Sequence, residues 1–474
     1  MRAFVQQSYQ RISASYWFVP TVMALLAAIL ALGLVQADLY IPPTAFGSSP
    51  FLFAAQPDGA RAILSSIGGS MIGVAGTVFS ITMATVVFAS GTFGPRLLTN
   101  FMNNRGNQIT LGTFVATFVY TMIVLRSVRD GATGDTFASM FVPNLAVYGA
   151  IGLAICSIGI LIFFIHHVPS NIHISNVIAD IGQKLVDDVH RRFPKKLGAA
   201  PDDDGRGSLC EQIPPCFRAD ASNNAVEPAY GEVETRKSGY IQVLDYATLV
   251  TTARKHDLIV RMNCRPGTFA HPGQVMFDVW PTDSLSDEAR EGLISSIALG
   301  NTRNVTQDLL FLFDELVEIA ARALSPGTND PFTAVTCMDW LAAAFSQMAG
   351  DKLTDPLRVD EDGTLRVIGE PLSFAEFLEH AFGHLRQYAA DDMIAGEHFI
   401  EVLGQIAPSC RRSSEFEALR HQRSALLELA RKNLAGQSLA TIEAAAARFD
   451  DRLNHPRLRS RIDVQKPLPA PEAS

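Results

Sequence analysis

Four stretches of the chain contain no Asp, Glu, Lys or Arg: residues 16–35, 62–90, 108–125 and 137–165. Each is about as long as the run of roughly 20 residues that crosses a bilayer's hydrocarbon as a helix. Beyond residue 170 the pattern changes. Ile174, Ile178, Ile181, Leu185 and Val189 recur at helical spacing beside Lys184, Asp187, Asp188 and Arg191, which predicts an amphipathic juxtamembrane helix within 171–197. Its apolar stripe either packs on the domain that follows or repeats around an axis as an oligomer neck. Residues 198–235, with Asp202-Asp203-Asp204 and many Gly, Pro and Asn, offer too few large apolar side chains for a core and read as a linker.

From 236 to 284 the pattern predicts a small β-α-β-β subdomain, with strands at 239–245, 258–264 and 274–280 and a helix at 247–255. Residues 285–453 read as mostly helical, with helices at 285–299, 306–324, 331–348, 373–405, 413–433 and 438–452. A hairpin is predicted at 357–359 and 365–368 around Asp362-Gly363. The Arg- and Pro-rich end, 454–474, reads as a disordered tail. The expected fold class is thus an α-helical polytopic membrane domain of four transmembrane helices (1–170), followed by a mixed α/β, mostly helical cytosolic domain.

Charge sets the orientation. Arg2, Arg11, Arg96, Arg105, Lys184, Arg191, Arg192, Lys195 and Lys196 lie on one side of the spans, and only Arg61, Arg126 and Arg129 on the other. The side rich in Lys and Arg faces the cytosol, so a multi-pass protein of the inner membrane with both termini cytosolic is expected. The formal charge of −9 belongs mostly to the polar part and argues against nucleic acid as a partner. Six cysteines without paired spacing read as free thiols. The first apolar run is too long for a signal sequence and lacks a cleavage motif, so it reads as a retained span.

The second span has two unlike faces. At about 100° per residue, Ser66, Gly69, Gly73, Gly76, Thr77, Ser80 and Ala84 share one third of the circumference, while Met71, Val74, Val78, Ile81 and Phe88 lie on the other side. Such a stripe either lets another backbone approach closely or borders a narrow hydrated path. Coupled transport ordinarily needs an ionisable group inside the bilayer, and these spans have no Asp, Glu, Lys or Arg. At about 43 Å if wholly helical, the second span must tilt or emerge near Gly94-Pro95. The segment 96–102 reads as a short amphipathic stretch on the inner surface.

Three polar constellations lie in the last part of the chain. Ser325, Asn329 and Asp330 sit in a loop between two helices, where Asp330 suits an N-cap, Pro331 the first helical position and Gly327 the end of the preceding helix. That loop reads as a structural turn or as a ligand or subunit contact. Glu376, His380 and His384 repeat every four residues on a predicted helix, a weak metal pattern without HExxH or a nearby cysteine pair. A solvated polar face explains them as well, and no metal is assigned. Arg303, Gln307, Asp308 and Glu315 line an otherwise apolar helix, as a buried ion pair or a contact surface. With no P-loop, GxGxxG, GxSxG or HExxH present, no catalytic residue and no cofactor is assigned.

The run 80–125, GYIQVLD at 239–245 and ALSPGTNDPFTA at 323–334 together resemble a bacterial family of predicted membrane proteins known only as a domain of unknown function. The resemblance implies four spans plus a cytosolic domain and carries no chemistry. The expected function is a homo-oligomeric passive channel for ions or small solutes with a cytosolic regulatory domain. The alternative is a non-conducting membrane-anchored scaffold or sensor whose cytosolic domain binds a ligand or protein partner.

Overall fold

A computed structural model of the chain describes residues 16–40, 56–94, 105–129, 141–192, 206–218, 230–350, 356–370, 372–455 and 458. Two compact units make up the chain, Tyr9–Asn176 and Val177–Ser474. The expected amphipathic stretch at 96–102 lies outside the described residues, as does the expected tail apart from Asn454, His455 and Leu458.

The first unit holds four helices long and apolar enough to cross a membrane: α1 (Phe18–Asp38), α2 (Pro57–Phe93), α3 (Arg105–Ser127) and α4 (Asn144–Ile172). Helix α3 is central and packs against the other three. Its most apolar stretch is half buried, against 17–28% for the other helices, and it also carries the buried hydroxyls Thr110, Thr113, Thr117 and Thr121. A bare hydroxyl in hydrocarbon is costly, and each of these is satisfied. Thr110 donates to the Gly106 carbonyl (2.8 Å), Thr113 to Ile109 (2.9 Å) and Thr121 to Phe118 (2.8 Å), while Thr117 and Ser157 of α4 share a bond of 3.0 Å.

One end of this bundle is closed by a cap from another helix. Asp38, last residue of α1, accepts from the backbone N–H groups of Leu145 and Ala146, both at 3.0 Å. These are amides that the start of α4 cannot satisfy itself, and a carboxylate there also suits the helix dipole. Tyr120 completes the joint by donating to the Ala146 carbonyl at 2.9 Å. Close approach relies on Gly149, where an added Cβ would fall 2.4 Å from the Tyr120 hydroxyl, and on Gly68, where it would fall 2.9 Å from Thr121 Oγ1.

The second unit begins with α5 (Ile174–Arg192) for nearly all its length. Ile178, Ile181, Leu185 and Val189 are all buried, and the Trp340 ring lies so close to Gly182 that a Cβ would come within 2.2 Å of it. The amphipathic stripe therefore packs within its own chain.

A short helix α6 (Arg206–Gln212) precedes strands β1 (Gly231–Glu234) and β2 (Gly239–Leu244), helix α7 (Tyr246–Lys255), and strands β3 (Ile259–Met262), β4 (Phe269–Ala270) and β5 (Val275–Trp280). Helix α8 (Asp287–Ser295) and strand β6 (Ile297–Gly300) follow, and the later hairpin is β7 (Leu357–Val359) with β8 (Leu365–Ile368). These form a five-stranded sheet, β1-β5-β3-β8-β7, and a three-stranded sheet, β4-β2-β6. All pairs are antiparallel except β3 with β8, where Val260 lies opposite Val367. Asp360 organises the hairpin turn by accepting from the N–H groups of Asp362 and Thr364, both at 3.0 Å, ahead of Gly363 at φ +77°.

Three sequence expectations change here. The stretch 198–235 is not merely a linker: Leu209, Ile213 and Phe217 join a core cluster with Ile259 and Leu365, and β1 pairs with β5. Spaced apolar residues in a polar stretch suffice when a sheet offers them a surface. The subdomain expected at 236–284 extends beyond those limits, since β1, β6 and the distant hairpin contribute strands. The helix expected at 285–299 gives way to strand β6 at its end, because β2 supplies a pairing edge from Tyr240 to Leu244.

The remaining helices are α9 (Leu309–Ala323), α10 (Pro331–Met348), α11 (Phe374–Leu378), a wide π-turn (Glu379–Gly383), α12 (His384–Ala389), α13 (Met393–Ile406), α14 (Ser413–Asn433) and α15 (Gly436–Asn454). The helix expected to run unbroken from 373 to 405 is interrupted at 390–392, where Asp392 caps α13 by accepting from the Ala395 N–H at 2.8 Å. Tilted and edge-to-face phenylalanine contacts join these helices: Phe313 with Phe345 and Phe377, Phe345 with Phe374 and Phe382, and Phe382 with Phe399.

Candidate functional site

The small-residue stripe of the second span is the first candidate. Ser66, Gly69, Gly73, Gly76, Thr77, Ser80 and Ala84 are all exposed along α2. Among the described residues, an added Cβ at Gly69, Gly73 or Gly76 would meet nothing within 4 Å. The face that packs inside the chain is the opposite one: Ala60, Leu64, Gly68, Met71, Ala75, Val78, Thr82 and Val86 are buried. Close packing within the chain therefore uses Gly68 rather than the Gly69/Gly73 pair. Thr77 and Ser80 donate to the carbonyls of Gly73 (3.2 Å) and Gly76 (2.9 Å) on their own helix, so the face is hydrogen-bonded without a partner. Ile63, Ile72, Phe79 and Ile81 are exposed too and flank the stripe.

Two further candidates are Arg303, Gln307 and Asp308 on the one hand and Ser325, Asn329 and Asp330 on the other. The structure does not bring these together, because they occupy the two ends of α9, about 22 Å apart at 1.5 Å per residue. At the far end Asp330 caps α10, accepting from the Thr333 N–H at 3.2 Å and the Thr333 hydroxyl at 2.6 Å. The Ser325 hydroxyl donates to the Arg322 carbonyl at 2.6 Å. The left-handed residue that turns this loop is Asn329, at φ +48°, rather than Gly327. Asparagine visits that region more readily than other side chains.

At the start of α9 each polar side chain has a distinct role. Gln307 pairs with the backbone of Leu244 as a neighbouring strand would: its carbonyl accepts the Leu244 N–H (2.7 Å) and its amide donates to the Leu244 carbonyl (3.1 Å). Asp308 caps α9 by accepting from the Phe311 N–H, and its other oxygen takes Arg303 Nε at 2.7 Å. Arg303 also donates through Nη1 to Asp314 Oδ2. Burial works against the guanidinium charge, but Asp308 and Asp314 more than offset it and hold Arg303 above its ordinary value.

The last candidate, Glu376 with His380 and His384, is corrected in one member. Glu376 belongs to a capping box: it accepts from the Ser373 N–H at 2.7 Å while its own N–H donates to the Ser373 hydroxyl at 3.2 Å. Those Ser373 contacts, with Arg265 a smaller contributor, hold its carboxyl below the usual 4.5. Asp314 takes its place beside the histidines. His380 Nε2–H donates to Asp314 Oδ1 at 2.6 Å, the two imidazole centroids are 4.7 Å apart, and one ligand atom from each residue falls within 4.8 Å of the others. Asp314 is buried, His380 half-buried and His384 exposed. Its distance in sequence hid Asp314 from pattern reading; the available signal was Asp314 with Glu315 in the midst of the apolar stretch 309–317.

Residues 13–405 match the family described as predicted membrane protein, domain of unknown function 2254. The chain is also 28% identical over 410 residues to an uncharacterized protein of Mycobacterium bovis and, equally, to one of Mycobacterium tuberculosis. The alignment covers 85% of this chain and 75% of each relative. No solved structure matches it. A family match over most of the chain, together with four apolar helices followed by a mostly helical unit with sheets, places this protein in the DUF2254 family of predicted membrane proteins.

Proposed function

We propose that the protein is a homo-oligomer of the bacterial inner membrane, both termini cytosolic, whose copies meet along the small-residue face of α2 and enclose a passive path for ions or small solutes. The C-terminal unit is its cytosolic regulatory domain. The observation that carries this reading is the exposed face from Ser66 to Ala84, where among the described residues nothing lies within 4 Å of a Cβ added at Gly69, Gly73 or Gly76. Small residues gain little against lipid tails, whereas between helices they permit close backbone approach and leave hydroxyls and carbonyls along the seam. The spans' lack of Asp, Glu, Lys and Arg favours passive conduction over coupled transport.

The test is flux from liposomes containing the purified chain under applied voltage, membrane tension and a range of pH. Conduction that is reduced by Gly73→Leu supports the reading. Silence under every condition overturns it. One observation favours the other reading, a non-conducting anchored scaffold or sensor that binds a ligand or protein partner: the apolar stripe of α5 is buried in its own unit rather than offered to another copy. Silence in the flux assay with a monomeric chain is the outcome that reading expects.

A further inference from the structure

We propose that Asp314, His380 and His384 form a binding site for one divalent first-row transition-metal ion, with the remaining coordination positions open to water. The site belongs to the C-terminal unit, and the inference does not rest on the conduction reading.

The donor set identifies the class of ion. Two imidazoles and one carboxylate suit Zn²⁺, Co²⁺, Ni²⁺ or Fe²⁺, whereas Ca²⁺ and Mg²⁺ take oxygen ligands. The three ligand atoms lie within 4.8 Å of one another; tetrahedral bonds of about 2.0–2.2 Å need separations of about 3.3–3.6 Å, so small side-chain shifts bring them to one centre. His380 Nε2 and Asp314 Oδ1, now hydrogen-bonded at 2.6 Å, separate slightly as the ion enters between them, and the neutral imidazole then carries its one N–H on Nδ1, so that no proton is lost overall.

Two further features fit a ligand set better than an ordinary ion pair. Asp314 is held on its far side: Arg303 takes Oδ2 and is itself fixed by Asp308, the cap of α9. Partners of this kind orient a metal-binding carboxylate, and here they leave Oδ1 turned to the imidazoles. Asp308 and Asp314 together outweigh Arg303 by one negative charge, so the cluster favours a cation. The backbone also departs from α-helix at this place. The π-turn Glu379–Gly383 contains His380 and ends immediately before His384. Such wide turns are rare and occur mostly at functional positions; this one sets the orientation of the two rings, which lie 59° apart in plane. Exposure of His384 gives an ion and its waters a route in.

The experiment is titration of the full chain in detergent, free of any affinity tag, with Co²⁺ followed by its visible absorption, then displacement by Zn²⁺. One equivalent per chain is expected, with affinity lowered on the order of 100-fold or more in His384→Ala and His380→Ala. His398→Ala is the control, a histidine paired instead with Asp339 at 2.7 Å, and binds as the parent does. His384 is exposed, so His384→Ala keeps its fold and decides the matter. Absence of saturable Co²⁺ binding, or binding unchanged by His384→Ala, overturns the site.

Discussion

Gln307 acts as one residue's worth of β-strand. Its side-chain amide completes the backbone of Leu244, a residue only 2% exposed. Truncation leaves a buried N–H and a buried carbonyl without partners, each costing about 1–3 kcal/mol. Gln307→Ala is therefore expected to lower the melting temperature of the C-terminal unit clearly, while Gln307→Glu, which keeps an acceptor and loses the donor, falls between. Equal melting of parent and Gln307→Ala would remove this role. Glu376 supplies a pH-dependent counterpart. Its carboxyl is held below 4.5 in the folded chain, so its contribution is complete above that value and is lost as pH falls through the lower folded value. Glu376→Gln should cost about 0.5 kcal/mol near neutral pH and nothing once both states are protonated; melting curves of the two proteins across pH measure the difference. Local grammar made some of this legible in advance. Asp330 as a cap ahead of Pro331 needs only neighbouring residues to be recognised. Asp314 beside His380 does not, since 66 residues separate them and only tertiary packing decides which carboxylate meets the imidazole.

Helices announced themselves in the sequence where one environment governs a whole segment. The first three apolar runs, the helix Pro331–Met348, the helix Ser413–Asn433 and the hairpin Leu357–Val359 with Leu365–Ile368 fall where the pattern placed them, while the fourth run, read as 137–165, forms a helix seven residues later, Asn144–Ile172. Elements whose existence depends on a distant partner were hidden: β1 needs β5, β6 needs β2, and residues 206–217 are ordered by the sheet they cover. Two amphipathic faces illustrate the limit of periodicity. The stripe of α5 and the small face of α2 were both open to packing within the chain or between chains, and the structure buries the first and leaves the second exposed. The α5 contact can be tested at Gly182, where no side chain fits beside Trp340. Gly182→Leu should destabilise the docking of α5 by about 1–3 kcal/mol through overpacking. Adding Trp340→Ala should recover part of that loss if the two positions are coupled; a purely additive double variant would contradict the contact.

The molecule joins a helical bundle whose charged side chains lie only near the helix ends to a polar unit with its own ion-pair network. Inside the bundle every described threonine of α3 is satisfied and Asp38 closes the start of α4. The surface this leaves unexplained is the small face of α2, and the proposed assembly places it at the axis. Accessibility along α2 tests that most directly. Cysteines introduced one at a time at positions 69, 73, 77, 80, 72 and 79 are treated, in membranes, with a charged thiol reagent that cannot enter lipid, and the parent chain's own labelling is subtracted. The account predicts reaction at 69, 73, 77 and 80 and protection at 72 and 79, which then face lipid or a neighbouring subunit. Uniform protection along the helix, in a chain that purifies as a monomer, would contradict it.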